Sequence, residues 1–352
     1  MQEKNLISRI EQDLAALKMG VKDTPGRLDS KWDSLLSTEP RKFINEDLTI
    51  NLEGLRNFRR DIVFISDTPV HVKPGLGTIK ALLSGGHRGE RRLLKDAFAG
   101  IDKEGLLPLL KKFPCNGVGN PNICRHKGYQ FTLRWLRHIY LTGTLGRHTG
   151  DRLNAEFFHL DVGSSYGLFE HLLKMQYSGG HSILVDFPEQ LVLAHYYLGM
   201  SFPEAKIAGF QEVLKAQALG RDFLRKYDFI LVPWFMYEKI SPQTIDLFTN
   251  FASFGEMKRE WFDYYLKKEP FLSARIFYCV NRFQSAPTYD TDLTILDYPL
   301  AQFEKKQFRI SPFFSHTYQR KAVFFCAKVP FSSQYFEFVG VQNSGATNMR
   351  NR

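Results

Sequence analysis

Phe158-His159-Leu160-Asp161-Val162-Gly163-Ser164-Ser165-Tyr166-Gly167 is the stretch whose reading decides the fold. A short apolar run, Phe157–Val162, reads as a buried strand. It is followed at once by a glycine turn, and Phe169–Met175 reads as a helix. A tight strand-to-helix turn needs glycine where the backbone angles are unusual. Without a side chain, Gly163 also lets a ligand approach the main chain. The free N–H groups at the start of the helix, around Ser164 to Gly167, suit a carboxylate. Asp161, at the strand end, can accept from an ammonium group.

Working outward, His181–Val185 is a second strand that ends on Asp186, and Glu189–Leu198 is its helix. An acid about 20 positions after a glycine turn can hold both hydroxyls of a ribose. Asp186 lies 23 residues beyond Gly163. Phe187 follows it and is placed to line an adenine face. Tyr227–Trp234, Ile245–Phe251 and Ala274–Val280 are further buried-strand candidates. Met257–Leu266 reads as a helix, and Lys321–Ala327 as a closing edge strand. Strands alternating with helices imply a doubly wound, Rossmann-like α/β sheet. Whether residues 206–210 or Tyr227–Trp234 form the third strand is open. The second choice is preferred, with Ile245–Phe251 fourth.

The dinucleotide fingerprint G-x-G-x-x-G is not matched, because Ser165 stands at its second glycine. D-x-G-x-x-x-G with a following acid is instead the form that holds S-adenosylmethionine. The alternative is a structural turn with a surface aspartate. The cofactor residues expected from the motif are Asp161, Gly163, Ser164, Tyr166, Gly167, Asp186 and Phe187. Tyr166 either flanks the methyl donor or packs the turn. Trp234 either contacts adenine or belongs to the core.

The chain has 352 residues, 43% of them hydrophobic, including 31 Phe. Such a length suggests two domains or one with a large added segment. Residues 1–150 lack regular strand–helix alternation and read as a mostly helical accessory, cap or dimerisation region. Within it, 3–19, a short stretch opening at Thr24-Pro25, 76–83, 89–112 and 130–140 look helical, and 63–65 looks like a strand. Residues 151–340 carry the α/β sheet, and 341–352 read as a tail. No apolar run reaches transmembrane length and no signal-peptide core is visible, so a cytoplasmic protein is expected. The four cysteines form no CxxC pair and read as reduced thiols. The net charge is +10, with basic clusters at Arg56–Arg60, Arg88–Arg92 and Arg134–Arg137. They either meet an anionic partner or form solvated helix faces.

A closer resemblance covers residues 115–330. DVGSSYGLFEHLL at 161–173, ILVDFPEQLVLAHYYL at 183–198 and FPEAKI at 202–207 resemble the bacterial sugar O-methyltransferase family. Asp246–Met257 and Phe277–Arg282 resemble further segments of it, as does Gly119-Asn120-Pro121. Gly255 departs from the family's polar residue before Glu256. The resemblance implies a class I methyltransferase sheet, S-adenosylmethionine as cofactor and a sugar, nucleotide-sugar or glycan acceptor.

A sugar hydroxyl is a poor nucleophile, so a general base should help remove its proton. Glu256, just past a strand end, is the first candidate, and His316 the second. Glu256 could equally be a carboxylate stabilised by a helix N-terminus. Asn250 and Asn281 either orient the acceptor or cap a turn, and Arg282 either pairs with an acceptor anion or forms a salt bridge. Cys115, Cys124 and His126 have no zinc spacing, and no metal is expected. The rival readings are an RNA methyltransferase, against which stands the lack of a recognisable RNA-binding module, and a non-catalytic scaffold retaining the fold.

Overall fold

The computed structural model describes residues 2–20, 38–62, 86–153, 155–286, 289, 291–314, 317–321, 326–330 and 334–342. The labelled helices of the first 150 residues are α1 (Gln2–Gly20), α2 (Gly86–Lys103), α3 (Leu107–Lys112) and α4 (Leu133–Thr149). A small antiparallel hairpin, β1 (Cys124–His126) and β2 (Tyr129–Phe131), precedes α4. The span 89–112, expected as one helix, breaks at Gly105, whose φ of +69° ends the turn after α2. Thr132 caps α4 by accepting from the Trp135 N–H at 3.1 Å.

The alternating part follows as β3 (Phe157–Val162), α5 (Leu168–Gln176), β4 (Gly180–Asp186) and α6 (Pro188–Ser201). Then come β5 (Ile207–Ala208), α7 (Phe210–Lys215), β6 (Phe229–Pro233), β7 (Leu247–Phe251), α8 (Arg259–Leu266) and β8 (Ile276–Arg282). The last strands are β9 (Phe303–Ile310), β10 (Thr317–Lys321), β11 (Cys326–Pro330) and β12 (Tyr335–Gln342). Eight strands make one sheet in the order β5-β6-β4-β3-β7-β8-β12-β9. The first six run parallel, and β12 is antiparallel to both neighbours. This is the doubly wound, Rossmann-like sheet that the sequence pattern implies. β6 lies beside β4, so Tyr227–Trp234 supplies the third strand, and residues 207–208 add only a short outer edge.

Alternate residues of each strand serve opposite faces. Phe157, Leu184, Leu231, Leu247 and Ile276 join one core, which also contains Ile10, Leu14, Phe58, Trp135 and Ile139. Phe158, Leu160, Val185, Val232 and Phe248 join the other, under α8. The helical first 150 residues therefore cover one face of the sheet and share its core. α1 lies on α6 and α7, and α4 on α5.

Several expectations are corrected. Lys321–Ala327 is not the closing edge. Thr317–Lys321 and Cys326–Pro330 form a separate hairpin, and the sheet closes with β9 and β12. The Arg56–Arg60 cluster is not uniformly solvated. Arg59 is fully buried, donating to the carbonyls of Asn116 and Val118 at 3.2 and 3.1 Å. The stretches expected at 24–36, 63–65 and 76–83 lie outside the described residues, as does His316. Among the described residues, no helix is long and apolar enough to cross a membrane.

Candidate active site

The carboxyl ends of β3 and β4 meet at the glycine turn. Gly163 takes φ +79°, and its N–H donates to the Val185 carbonyl at 2.8 Å. Ser165 holds φ +55°, a conformation that strains a residue with a Cβ by about 1 kcal/mol or more. Its N–H donates to Oδ2 of Asp186 at 2.6 Å, and the Phe187 N–H donates to Oδ1 at 2.7 Å. Both backbone donors come from the two segments that flank the site. Burial pushes Asp186 up to about 7. The hydroxyl of Ser164 is buried and has no hydrogen-bond partner among the described residues. Gly167 caps α5 at φ +81°, with Leu184 and Leu198 where a Cβ would stand.

Asp161 points to the same face as His159. Thr249 lies directly across on β7 and donates to Asp161 Oδ1 at 2.7 Å. The Thr249 hydroxyl also meets His159 Nε2 at 2.8 Å, and His159 Nδ1 meets the Ser182 hydroxyl at 3.1 Å. Burial lowers His159 to about 3, so the ring is neutral. Glu170 on α5, which the motif reading did not single out, completes the group. One ring nitrogen of His159 and one carboxyl oxygen each of Asp161 and Glu170 all lie within 4.8 Å of one another.

Opposite the glycine turn sits the loop after β7. A Cβ on Gly163 would lie 2.2 Å from Ser253 Oγ, so the two loops touch. Ala252 beside Ser253 is also strained, at φ +59°. Asn250 and Asn281, both fully buried, fix this loop. Asn250 donates to the Val162 carbonyl and accepts from the Phe254 N–H at 3.0 Å. Asn281 donates to Asn250 Oδ1 at 2.9 Å and accepts from the Gly255 N–H at 3.4 Å. Of their two expected roles, the turn-holding one is what these bonds perform. Glu256 lies at the loop's end. It accepts from the Tyr289 hydroxyl at 2.7 Å and pairs with Arg282 at 3.5 Å. Arg282 is itself buried, with its guanidinium 4.9 Å from the Tyr335 ring centre and 5.6 Å from that of Tyr289.

Tyr166 faces the helical region. Its ring is fully buried, 5.2 Å from Phe58 and 5.0 Å from Tyr197, with the guanidinium groups of Arg59 and Arg134 each 5.7 Å away. The aromatic packs the turn onto the helical region. Phe187 is half-buried beside Asp186. Trp234 is 5% exposed and packs edge-on against Trp261 at 4.5 Å. Cys115 is buried and its Sγ accepts from Arg59 Nη2 at 3.3 Å.

No family model matches this chain, and no curated protein does. Solved structures similar to it include a Thermoplasma acidophilum protein, 1320, at 10% identity and a TM-score of 0.37, covering 59% of this chain and 90% of that one. Another is the precorrin-6Y C5,15-methyltransferase of Geobacter metallireducens, at 10% identity and 0.34, covering 66% and 100%. A third is TehB of Haemophilus influenzae, at 8% identity and 0.37, covering 55% and 60%.

Proposed function

We propose that this chain is an S-adenosylmethionine-dependent methyltransferase that O-methylates a sugar or glycan precursor. The observation that carries the reading is the convergence of the Gly163 turn and Asp186 at the carboxyl ends of adjacent parallel strands, where open α/β sheets bind ligands. Asp186 spends one lone pair of each oxygen on backbone N–H groups, and the remaining pairs are available to two ribose hydroxyls. Asp161 is placed for the ammonium group, and the partnerless Ser164 hydroxyl supplies a further polar contact. Phe187 stands where adenine would stack.

When bound, the cofactor supplies an electrophilic methyl group. The protein's own work is alignment and proton removal. Glu256 sits on the loop that touches Gly163, on the acceptor side of the turn. It is held by Tyr289 and Arg282, and would take the proton of the acceptor hydroxyl. The sugar acceptor rests on the sequence resemblance.

The test has two stages. Calorimetric titration with S-adenosylmethionine and S-adenosylhomocysteine should show binding to the purified protein. Incubation with labelled methyl donor and a panel of nucleotide-sugars and glycans should then give a product heavier by one methylene. Failure to bind either cofactor form would refute the reading. Binding with methylation of RNA rather than a sugar would overturn the acceptor only.

A further inference from the structure

Asp161 and Glu170 are both buried carboxyls, 3% and 0% exposed, and their oxygens belong to a group contained within 4.8 Å. Two carboxylates this close in a dry interior cannot both be charged. The hydrogen-bond directions decide which one carries the proton. The Thr249 hydroxyl donates to Asp161 Oδ1 at 2.7 Å. His159 Nε2–H must then donate to Thr249, and the Ser182 hydroxyl to His159 Nδ1. The chain of donors thus terminates on Asp161. Glu170 receives nothing comparable: among the described residues, neither of its oxygens accepts from a side-chain or main-chain donor of another residue. A buried carboxylate with no donor is stable only as the neutral acid.

We infer that Glu170 is a positioning residue, a resident carboxylic acid that donates its proton to Asp161 and so leaves Asp161 as the single negative charge facing a cationic amino group. Glu170 itself touches no ligand. The ligand part of this inference rests on the proposed function, and the protonation part does not.

The electrostatics agree. Burial, then the charge of Asp161, raises Glu170 well above the usual carboxylate range. Burial raises Asp161 to about 7, against the bonds from Thr249 and Glu170, and the charge of Asp186 adds to the rise. The other groups facing the pair are the neutral His159 and the Asp186 carboxyl. Binding an ammonium group favours ionised Asp161. Affinity should therefore rise as pH rises through about 7, with proton release on binding below that pH.

Infrared spectroscopy of the ligand-free protein at about pH 8 tests the protonation directly. A carboxylic-acid C=O stretch should be present in the wild type and absent from Glu170→Gln. Its absence from the wild type would overturn the inference. Calorimetry with S-adenosylhomocysteine tests the consequence, with circular-dichroism melts to verify folding. Glu170→Gln, which keeps a donor, should hold affinity within about threefold, whereas Glu170→Leu should lose about tenfold, the equivalent of one pKa unit. Equal losses in both variants would show that a carboxylate is needed instead of its proton. A stoichiometric divalent metal in the wild type that is lost from Glu170→Gln would also overturn it, as a cation in place of the proton. If the wild type binds no cofactor, the proposed function fails while the infrared result still decides the pair.

Discussion

The backbone N–H of Ser165 donates to the Asp186 carboxylate at 2.6 Å, so the glycine turn of one strand is stapled to the acid of the next. This bond makes Asp186, the proposed ribose-binding acid, a part of the turn's own geometry. Asp186→Ala removes the acceptors for two backbone donors and, under the proposed reading, for both ribose hydroxyls. Affinity for S-adenosylhomocysteine should fall by at least about tenfold, at roughly 1.5 kcal/mol or more per lost bond to a charged group. Calorimetry checks this, and unchanged affinity would remove Asp186 from the site.

The same carboxyl makes stability depend on pH. Its folded pKa, about 7, lies above the ordinary aspartate value because of burial. A raised pKa means the folded state holds the proton more tightly. The stabilising contribution is complete below the unfolded value near 4 and is lost as pH rises through about 7. Asp186→Asn stays neutral throughout. Its melting temperature, relative to the wild type, should therefore improve as pH is raised from about 5 to 8 in ligand-free protein. Thermal melts across that range give the comparison, and a constant difference would contradict it.

Gly163 is constrained twice. Its φ of +79° costs a residue with a Cβ about 1–2 kcal/mol, and the Cβ would lie 2.2 Å from Ser253 Oγ and 2.5 Å from Ser253 Cβ. Gly163→Ala should lose at least about 2 kcal/mol in urea unfolding. Ser253→Gly in the same chain should restore the steric part and leave the φ part. Ser253→Ala should not restore it, because the Cβ contact persists.

Much of this architecture is legible in the sequence, for a physical reason. Strands β3, β6 and β8 are buried along their whole length, so each reads as a mainly apolar run between turn signals, interrupted only by His159 and Asp161 in β3 and by Asn281 and Arg282 at the end of β8. Strands β9 and β12 do not. β9 is an edge strand that exposes Glu304, Lys305 and Phe308, and its pattern resembles a surface segment. β12 carries a fully buried Glu337, which is tolerable only because distant tyrosines and Arg309 reach it. Glu170 has the same character. Within its own helix it looks like a first-turn carboxylate suited to the dipole. Its meaning comes from Asp161, brought beside it by the β3–α5 turn. Arg59 sits in a basic run that reads as solvated until its carbonyl partners at 116 and 118 are known.

Glu256 offers a kinetic prediction. Its loop touches the glycine turn, while the carboxylate itself bonds Tyr289 and Arg282. Under the proposed reading, Glu256→Gln should lower kcat by about a hundredfold or more, the usual scale of general-base assistance. Affinity for the cofactor should stay within about twofold, since a loss larger than that is ~0.4 kcal/mol and would implicate the loop staple. Single-turnover methylation with a confirmed acceptor separates the two. Loss of binding with unchanged chemistry would place Glu256 in the scaffold.

The buried Glu337 joins the first 150 residues to the far end of the sheet. It accepts from Tyr278 at 2.7 Å, from Arg309 at 3.2 Å and from Tyr140 on α4, while Arg309 also pairs with Glu104 at 3.2 Å. Hydrogen bonds to a charged group contribute about 1.5–3 kcal/mol each, and buried donors left unmatched add a penalty. Glu337→Ala should therefore cost about 3 kcal/mol or more, and Glu337→Gln less, because an amide oxygen can still accept. The helical region and the sheet share one core, so the loss should appear as a single shifted urea transition in both fluorescence and far-ultraviolet circular dichroism. Two separated transitions would mean that the residues before 150 unfold independently of the sheet they cover.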